Sequence, residues 1–339
     1  MLGAMRILIL GGTSWLGGMV ASTAVDRGHS VTCLARGAAG DPPAGVTFVH
    51  ADRDRADAYA AVVGQQWDAV VDVARQPGQV RRAATALADR AGLYIFVSSC
   101  SVYADHSVPD ADEHAALLPA LVGDVMESME TYGEAKVACE QHVLAAFGAD
   151  RCLIARSTLI GGPGDPSDRT GYWPMRFHHP ASADGAVLIP DAPDVTAQVI
   201  DVRDLAAWLV DMAERAVAGT YNVGGEMIPL PEYLGLARAA AGHTGPVVPA
   251  DPRWLVAEGV ETYMGERSLP HWLPMPSFAG WATRNRDAAL ATGLTTRPAV
   301  ETLRDTLAWE LTLDPERPRK AGLTPAEERA LLALLPAPV

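Results

Sequence analysis

The chain has 339 residues, of which 49% are apolar or aromatic and 20% charged. That composition excludes a disordered chain and suffices for a full α/β core with a smaller lobe. The net charge of −14, with no Lys/Arg cluster on one helix, repels phosphate backbones and argues against a nucleic-acid partner. No apolar run reaches the roughly 20 residues that span a bilayer. The opening Met1–Ala4 is too short and uncharged for a signal peptide, and Met5 stands directly before the first strand. Cys33, Cys100, Cys139 and Cys152 lie far apart, without CxxC or Cys/His ligand spacing. Neither a disulfide framework nor a metal site is expected, and a reducing, cytoplasmic setting fits.

The elements alternate along the chain. Arg6–Leu10 is a short apolar run that stops at Gly11-Gly12, and Trp15–Arg27 is an amphipathic stretch closed by Gly28. Val31–Leu34 and Val46–His50 read as the second and third strands. Ala56–Val63 is helix-compatible, Trp67–Val73 a fourth strand, Gln79–Arg90 a helix and Tyr94–Val97 a fifth strand. Glu127–Phe147 has a long helical pattern, and Cys152–Ala155 is a sixth strand. Continuous apolar strands between helices predict an α/β fold, a doubly wound parallel sheet. From about Gly164 the texture changes: prolines and tryptophans (Trp173, Trp254, Trp272, Trp281) become frequent. The expected division is a nucleotide-binding domain over 1–163, with 199–225 packing back on it, and a smaller C-terminal substrate lobe from 164–198 and 226–339.

The first strand–turn–helix carries Gly11-Gly12-Thr13-Ser14-Trp15-Leu16-Gly17. Glycines there permit a tight turn and close approach of backbone to a pyrophosphate, which the helix N-terminus then meets with N–H groups and its dipole. The middle position of the Gly11-x-x-Ser14-x-x-Gly17 spacing is Ser, whose hydroxyl can donate to a phosphate while its Cβ restricts the approach. An acid at the end of the second strand would hold the ribose hydroxyls of NAD. Here the run is Leu34-Ala35-Arg36, and a guanidinium suits a 2′-phosphate, so NADP is favoured over NAD.

Tyr132 and Lys136 in Tyr132-Gly133-Glu134-Ala135-Lys136 share one helix face. A phenol, ordinarily near ~10, needs a neighbouring cation to exchange protons at neutral pH. The bland alternative is two residues on an exposed face. Against it stands Ser98-Ser99-Cys100-Ser101 at the carboxyl end of the fifth strand, where open α/β sheets bind ligands. A Ser hydroxyl there can hydrogen-bond a substrate carbonyl or alcohol.

Together these residues resemble the extended short-chain dehydrogenase/reductase superfamily, the group labelled NAD-dependent epimerase/dehydratase, with a Rossmann-type fold. The resemblance covers almost the whole chain: the glycine turn, Asp52-Arg53, Val73-Ala74, Ser99 with Tyr132 and Lys136, Arg156 before Gly162-Pro163, Asp201-Val202-Arg203-Asp204 and Tyr221-Asn222-Val223-Gly224-Gly225. It implies that Ser99, Tyr132 and Lys136 are the catalytic triad. It also implies that Gly11, Thr13, Ser14, Trp15, Leu16, Gly17, Arg36, Asp52, Arg53, Val73 and Ala74 line the cofactor, with Tyr132 and Lys136 reaching it. Relatives often dimerise through a four-helix interface, here Gln79–Arg90 with Glu127–Phe147, so a homodimer is expected.

Departures bear on the reaction. Sugar-nucleotide epimerases and dehydratases usually carry an Asn after the sixth strand, where this chain has Leu159. The dehydratase Asp-Glu pair is absent, since Ser99 is followed by Cys100-Ser101. Thr158-Leu159-Ile160-Gly161-Gly162-Pro163 resembles the dihydroflavonol-reductase-like branch, which reduces less polar carbonyls. The expectation is an NADP(H)-dependent oxidoreductase acting on a carbonyl or imine of a small, ring-containing substrate. The alternatives are a sugar-nucleotide epimerase or dehydratase holding NAD tightly, and a non-catalytic NADP-sensing or RNA-associated protein. The acidic stretch Ala104–Thr131 reads as a solvated loop more readily than as a lid. Asp165–Arg169 with Tyr172-Trp173 is a candidate for closing the pocket. His178-His179, with no matching carboxylates or cysteines flanking it, and His271-Trp272, in a Pro-bounded loop, do not make convincing sites.

Overall fold

The computed structural model describes residues 3–335; Met1 and Leu2 of the opening segment lie outside the described residues. In chain order the elements are β1 (Arg6–Leu10), α1 (Trp15–Asp26), β2 (Ser30–Ala35), β3 (Thr47–His50), β4 (Trp67–Asp72), α2 (Pro77–Leu87), β5 (Ala91–Ser99), α3 (Tyr132–Phe147) and β6 (Cys152–Ser157). There follow β7 (Leu159–Gly161), α4 (Arg169–His178), β8 (Val187–Pro190), β9 (Thr196–Asp201), α5 (Val202–Glu214) and β10 (Gly219–Val223). The remainder holds β11 (Met227–Pro229), α6 (Leu230–Ala240), β12 (Val247–Ala250), α7 (Pro252–Ala257), three very short strands between Glu261 and Pro270, α8 (Asp287–Ala291), α9 (Ala299–Glu310) and α10 (Pro325–Leu334).

Seven strands form one sheet in the order β10-β6-β5-β4-β1-β2-β3, every neighbouring pair parallel. Parallel strands covered on both faces must be apolar throughout, and β1 obeys: Ile7, Leu8, Ile9 and Leu10 are all buried. Alternation sorts them. Ile7 and Ile9 pack with Leu16 and Val20 of α1 and with Leu205, Trp208 and Leu209 of α5. Leu8 and Leu10 face α2 and α3 through Val80, Leu87, Val143 and Phe147. A third core, built from Trp173, Phe177, Leu188, Tyr233, Leu234, Leu303 and Leu331, holds the C-terminal elements together.

The strand order reverses between β1 and β4, so the chain crosses to opposite faces there and leaves a crevice beyond the carboxyl ends. The helix ends are legible locally. Gly28 (φ +85°) follows α1, and Gly148 (φ +72°) ends α3. Two readings need correction. Residues 55–65 form a chain of tight turns in place of a helix, and Ala58, Tyr59 and Val62 all reach the core from it. The long helix starts at Tyr132, five residues later than the pattern suggests, after a 3₁₀ turn over Met129–Thr131 that Ser128 caps.

Candidate active site

The glycine turn is pressed from three sides. Gly11 has φ +92°, and a Cβ there would lie 2.8 Å from Val73 Cγ2. A Cβ on Gly12 would lie 2.4 Å from Cys33 Sγ, and one on Gly17 2.2 Å from the Gly11 carbonyl oxygen. Ser14 caps α1: its hydroxyl donates to Gly11 O at 2.7 Å and accepts from Gly17 N at 3.3 Å. To meet a phosphate, as the sequence leads one to expect, the Ser14 hydroxyl has to exchange its bond to Gly11 O. What the turn offers an anion is the first-turn N–H groups of Trp15 and Leu16, which precede any intrahelical acceptor. The Trp15 indole donates to Pro163 O at 2.8 Å and ties this turn to the one after β7.

At the next strand ends, Arg36 follows β2 with its side chain exposed, and Ala51 N donates to Ala35 O at 3.0 Å, which keeps Asp52 nearby. The Asp52 carboxylate accepts from Asp54 N at 3.1 Å. Arg53 turns inward. Its two terminal nitrogens each donate to Asp72 at 2.7 Å and Nε donates to Tyr59 Oη at 2.9 Å. Asp72 also accepts from Tyr94 Oη at 2.6 Å and Ala74 N at 2.9 Å. Burial alone would raise the Asp72 carboxyl; the Arg53 charge and these hydrogen bonds hold it below the usual carboxylate range. The expectation that Arg53 faces a cofactor is corrected: its guanidinium braces the carboxyl end of β4.

Ser99, Tyr132 and Lys136 line one cleft of about 790 Å³, together with Trp15 and Val73 from the dinucleotide side. Gly133 makes this possible, because a Cβ there would sit 2.3 Å from Ser101 O; its absence lets α3 start against the turn that ends β5. Lys136 is 4% exposed. Its ammonium donates to Ala74 O and Val97 O, both at 2.7 Å, and lies 5.9 Å from the centroid of the Tyr132 ring. It therefore locks β4 to β5 while placing a positive charge behind the phenol. Ser99 Oγ accepts from Ser101 N at 3.1 Å and donates to Ser101 Oγ at 3.0 Å, an exchangeable partner. Gly11, Thr13, Ser14, Leu16, Gly17, Arg36, Asp52 and Ala74 stand off this cleft at the neighbouring strand ends.

The opposite wall comes from the C-terminal lobe. Tyr263, Leu273, Phe278 and Trp281 face the cleft, joined by Leu159. Of the suggested closing segment, Asp165, Pro166, Ser167 and Arg169 reach it. Tyr172 and Trp173 do not, being 1% and 0% exposed in the lobe's own core, and Asp168 is held by Arg317 and Lys320 N. His271, set aside on sequence grounds, lines the cleft. Most acids of 104–131 turn elsewhere: Asp124 pairs with Arg81, and Glu113 accepts from Asn222 N. His106, Met129 and one acid, Glu130, do reach the cleft. Sequence reasoning missed His106, Phe278 and Arg284, because their meeting spans about half the chain and no local spacing signals it.

Residues 7–224 match the model of the NAD dependent epimerase/dehydratase family. The chain belongs to that family. No curated protein matches it. Among solved structures it is similar to a provisionally assigned epimerase from Burkholderia cenocepacia J2315, with 24% identity, a TM-score of 0.69 and coverage of 92% of this chain and 100% of that one. It is also similar to UDP-N-acetylglucosamine 4-epimerase from Bacillus cereus (16% identity, TM-score 0.66, 93% and 99% covered). A third is the Bordetella bronchiseptica enzyme WbmH in complex with NAD+ (17% identity, TM-score 0.66, 92% and 100% covered). At these identities the likeness is one of fold.

Proposed function

We propose that this protein is an NADP(H)-dependent oxidoreductase acting on a carbonyl or imine carbon of a small, ring-containing substrate. The observation that carries the reading is the cleft itself: Ser99, Tyr132 and Lys136 on one wall, an aromatic wall opposite. The residues present fit a dinucleotide, since the turn at Gly11, Gly12 and Gly17 leaves no room for a Cβ and presents free N–H groups beyond β1. When bound, a nicotinamide supplies or accepts the hydride. Trp15, Leu16 and Val73 would hold the group, and Arg36, free and exposed after β2, would read a 2′-phosphate. Tyr132 donates the proton from Oη to the substrate heteroatom, and the Lys136 ammonium behind the ring stabilises the charge left on the phenol. Ser99 orients the accepting oxygen by exchanging its bond to Ser101.

A second reading, an epimerase or dehydratase acting on a nucleotide sugar with tightly held NAD, is favoured by the family match and by the named epimerases that share the fold. Against it, Leu159 occupies the expected Asn position. Arg169, one of the cleft's cations, stacks over Tyr263 with its Nε on Ser167.

Fluorescence titration with NADPH and NADH, after release of any bound nucleotide, separates the two. The first reading expects exchangeable NADPH with NADH at least ~10-fold weaker, about 1.4 kcal/mol, and Tyr132→Phe that binds NADPH nearly normally while losing carbonyl reduction. Retained NAD and interconversion of a UDP-hexose establish the second. Full turnover by Tyr132→Phe overturns the assignment of the proton donor.

A further inference from the structure

His106 lies between β5 and α3, Arg284 lies 178 residues on, and the fold zips their segments together. Gly280 N donates to His106 O at 2.7 Å and Asp110 N to Thr283 O at 2.8 Å. A Cβ on Gly280 would lie 2.1 Å from Val108 O, so the segments touch backbone to backbone. Arg284 is wholly buried, its guanidinium carbon 4.3 Å above the Tyr103 ring. The Gln198 amide clamps its main chain on both sides, accepting from Arg284 N at 3.0 Å and donating to Arg284 O at 2.9 Å.

No carboxylate pairs with this guanidinium among the described residues, and its Nε and Nη1 are sealed without a partner. An arginine so placed costs stability and needs a reason. Its remaining nitrogen, Nη2, donates to Asp105 O at 3.1 Å and sits 2.8 Å from His106 Nδ1. A guanidinium has only donors, so Nδ1 must be the acceptor and the imidazole proton must reside on Nε2. Burial and the Arg284 charge push the His106 imidazole down to about 4, with Asp105 acting in the opposite sense, so the ring is neutral near pH 7. The other groups packed on it carry no charge: Phe278 is stacked at 5.9 Å and 11°, and Trp281 meets it edge-on at 4.5 Å. The ring lines the same cleft as Tyr132, and Nε2 has no hydrogen-bond partner among the described residues.

We infer that His106, its tautomer fixed by Arg284, is a specificity-determining donor: its Nε2–H holds an acceptor oxygen of a substrate whose flat apolar face lies against Phe278 and Trp281. The inference rests on the ring-containing substrate of the proposed function and adds the feature such a substrate must carry. Arg284 is the positioning residue. It acts through His106 and touches no ligand.

Two measurements on the full chain with its preferred dinucleotide bound test this. The first is imidazole ¹⁵N NMR, with His106→Gln assigning the signal. The Nε2–H tautomer is expected from pH 5 to 8 without titration, and in Arg284→Met the His106 midpoint rises by more than one pH unit. An Nδ1–H tautomer, or a wild-type midpoint near the ordinary ~6.5, overturns the inference. The second compares binding of 2-acetyl-6-methoxynaphthalene with that of 2-acetyl-6-ethylnaphthalene, which share the carbonyl assigned to Ser99 and Tyr132 and differ in a second acceptor oxygen. The wild type is expected to favour the methoxy compound by about fivefold, the scale of one hydrogen bond. His106→Phe should lose that preference while still binding the ethyl compound, and His106→Gln, which keeps a donor, should recover part of it. An equal ratio in wild type and His106→Phe overturns the inference. Neither readout needs turnover. A chain that passes both and reduces no carbonyl retires the reductase reading alone, and one that reduces carbonyls with an unchanged ratio retires this inference alone.

Discussion

Two adjacent glycines in α1 have opposite tolerances. A methyl on Gly17 would meet the Gly11 carbonyl at 2.2 Å, and that carbonyl cannot retreat because it already accepts from Ser14 N and the Ser14 hydroxyl. A methyl on Gly18 would find nothing nearer than 3.6 Å. Gly17→Ala should therefore lower stability by about 1–3 kcal/mol in urea unfolding and impair dinucleotide binding. Gly18→Ala should be neutral or gain up to ~1 kcal/mol from helix propensity. Equal effects would show that the turn is not closed as described. The spacing of Gly11 and Gly17 was readable in the sequence because it reflects a local backbone need. The partner of the Ser14 hydroxyl, Gly11 O, is not legible in that spacing, because it is set by how the turn folds on itself.

At the scale of elements, α3 carries Tyr132 and Lys136 into the cleft. It starts at Tyr132, and about two turns deeper it buries Glu140, which Arg156 of β6 meets with two hydrogen bonds at 2.8 and 3.1 Å. Ser98 of β5 donates to the same carboxylate at 2.5 Å. This pair fixes α3 against the two strands whose ends shape the cleft. Arg156→Met would leave Glu140 buried without its counter-charge, and chemical denaturation should show a loss of about 3–5 kcal/mol. Adding Glu140→Leu should return a substantial part of it. A double variant as unstable as the single one would mean that Arg156 acts chiefly through Tyr103 and the Glu113 carbonyl, which it also contacts. Helical periodicity revealed α3 but not its first residue, since the preceding 3₁₀ turn continues the same pattern.

The whole molecule places its cleft between the carboxyl ends of the sheet and the C-terminal lobe, and that burial gives stability a pH dependence. His271, 2% exposed, is pushed down to about 3, chiefly by burial, with the Arg169 charge adding to it. In the unfolded chain it titrates near ~6.5. Between those values the unfolded state binds a proton that the folded state refuses. The contribution is therefore complete above about pH 6.5 and is lost as pH falls toward 3, with a slope approaching ~1.4 kcal/mol per pH unit. Urea midpoints at pH 7 and pH 5 should differ accordingly, and His271→Phe should reduce the difference, His106 contributing a further part with the same sign. An unchanged slope in that variant would show that His271 is accessible to protons in the fold.

By itself the sequence determined the parallel sheet, the dinucleotide turn and the Tyr132/Lys136 pair. Each is written in a local period or spacing: apolar runs for strands buried on both faces, glycines where a Cβ has no room, and a four-residue step along one helix. Only the tertiary structure decided which side chains face the cleft. It turned Arg53 inward onto Asp72, sent Tyr172 and Trp173 into the lobe's core, and brought His106 against Arg284 and Phe278. Those outcomes depend on where segments far apart in the chain come to rest, and on which buried charge finds a partner there, neither of which has a period to read.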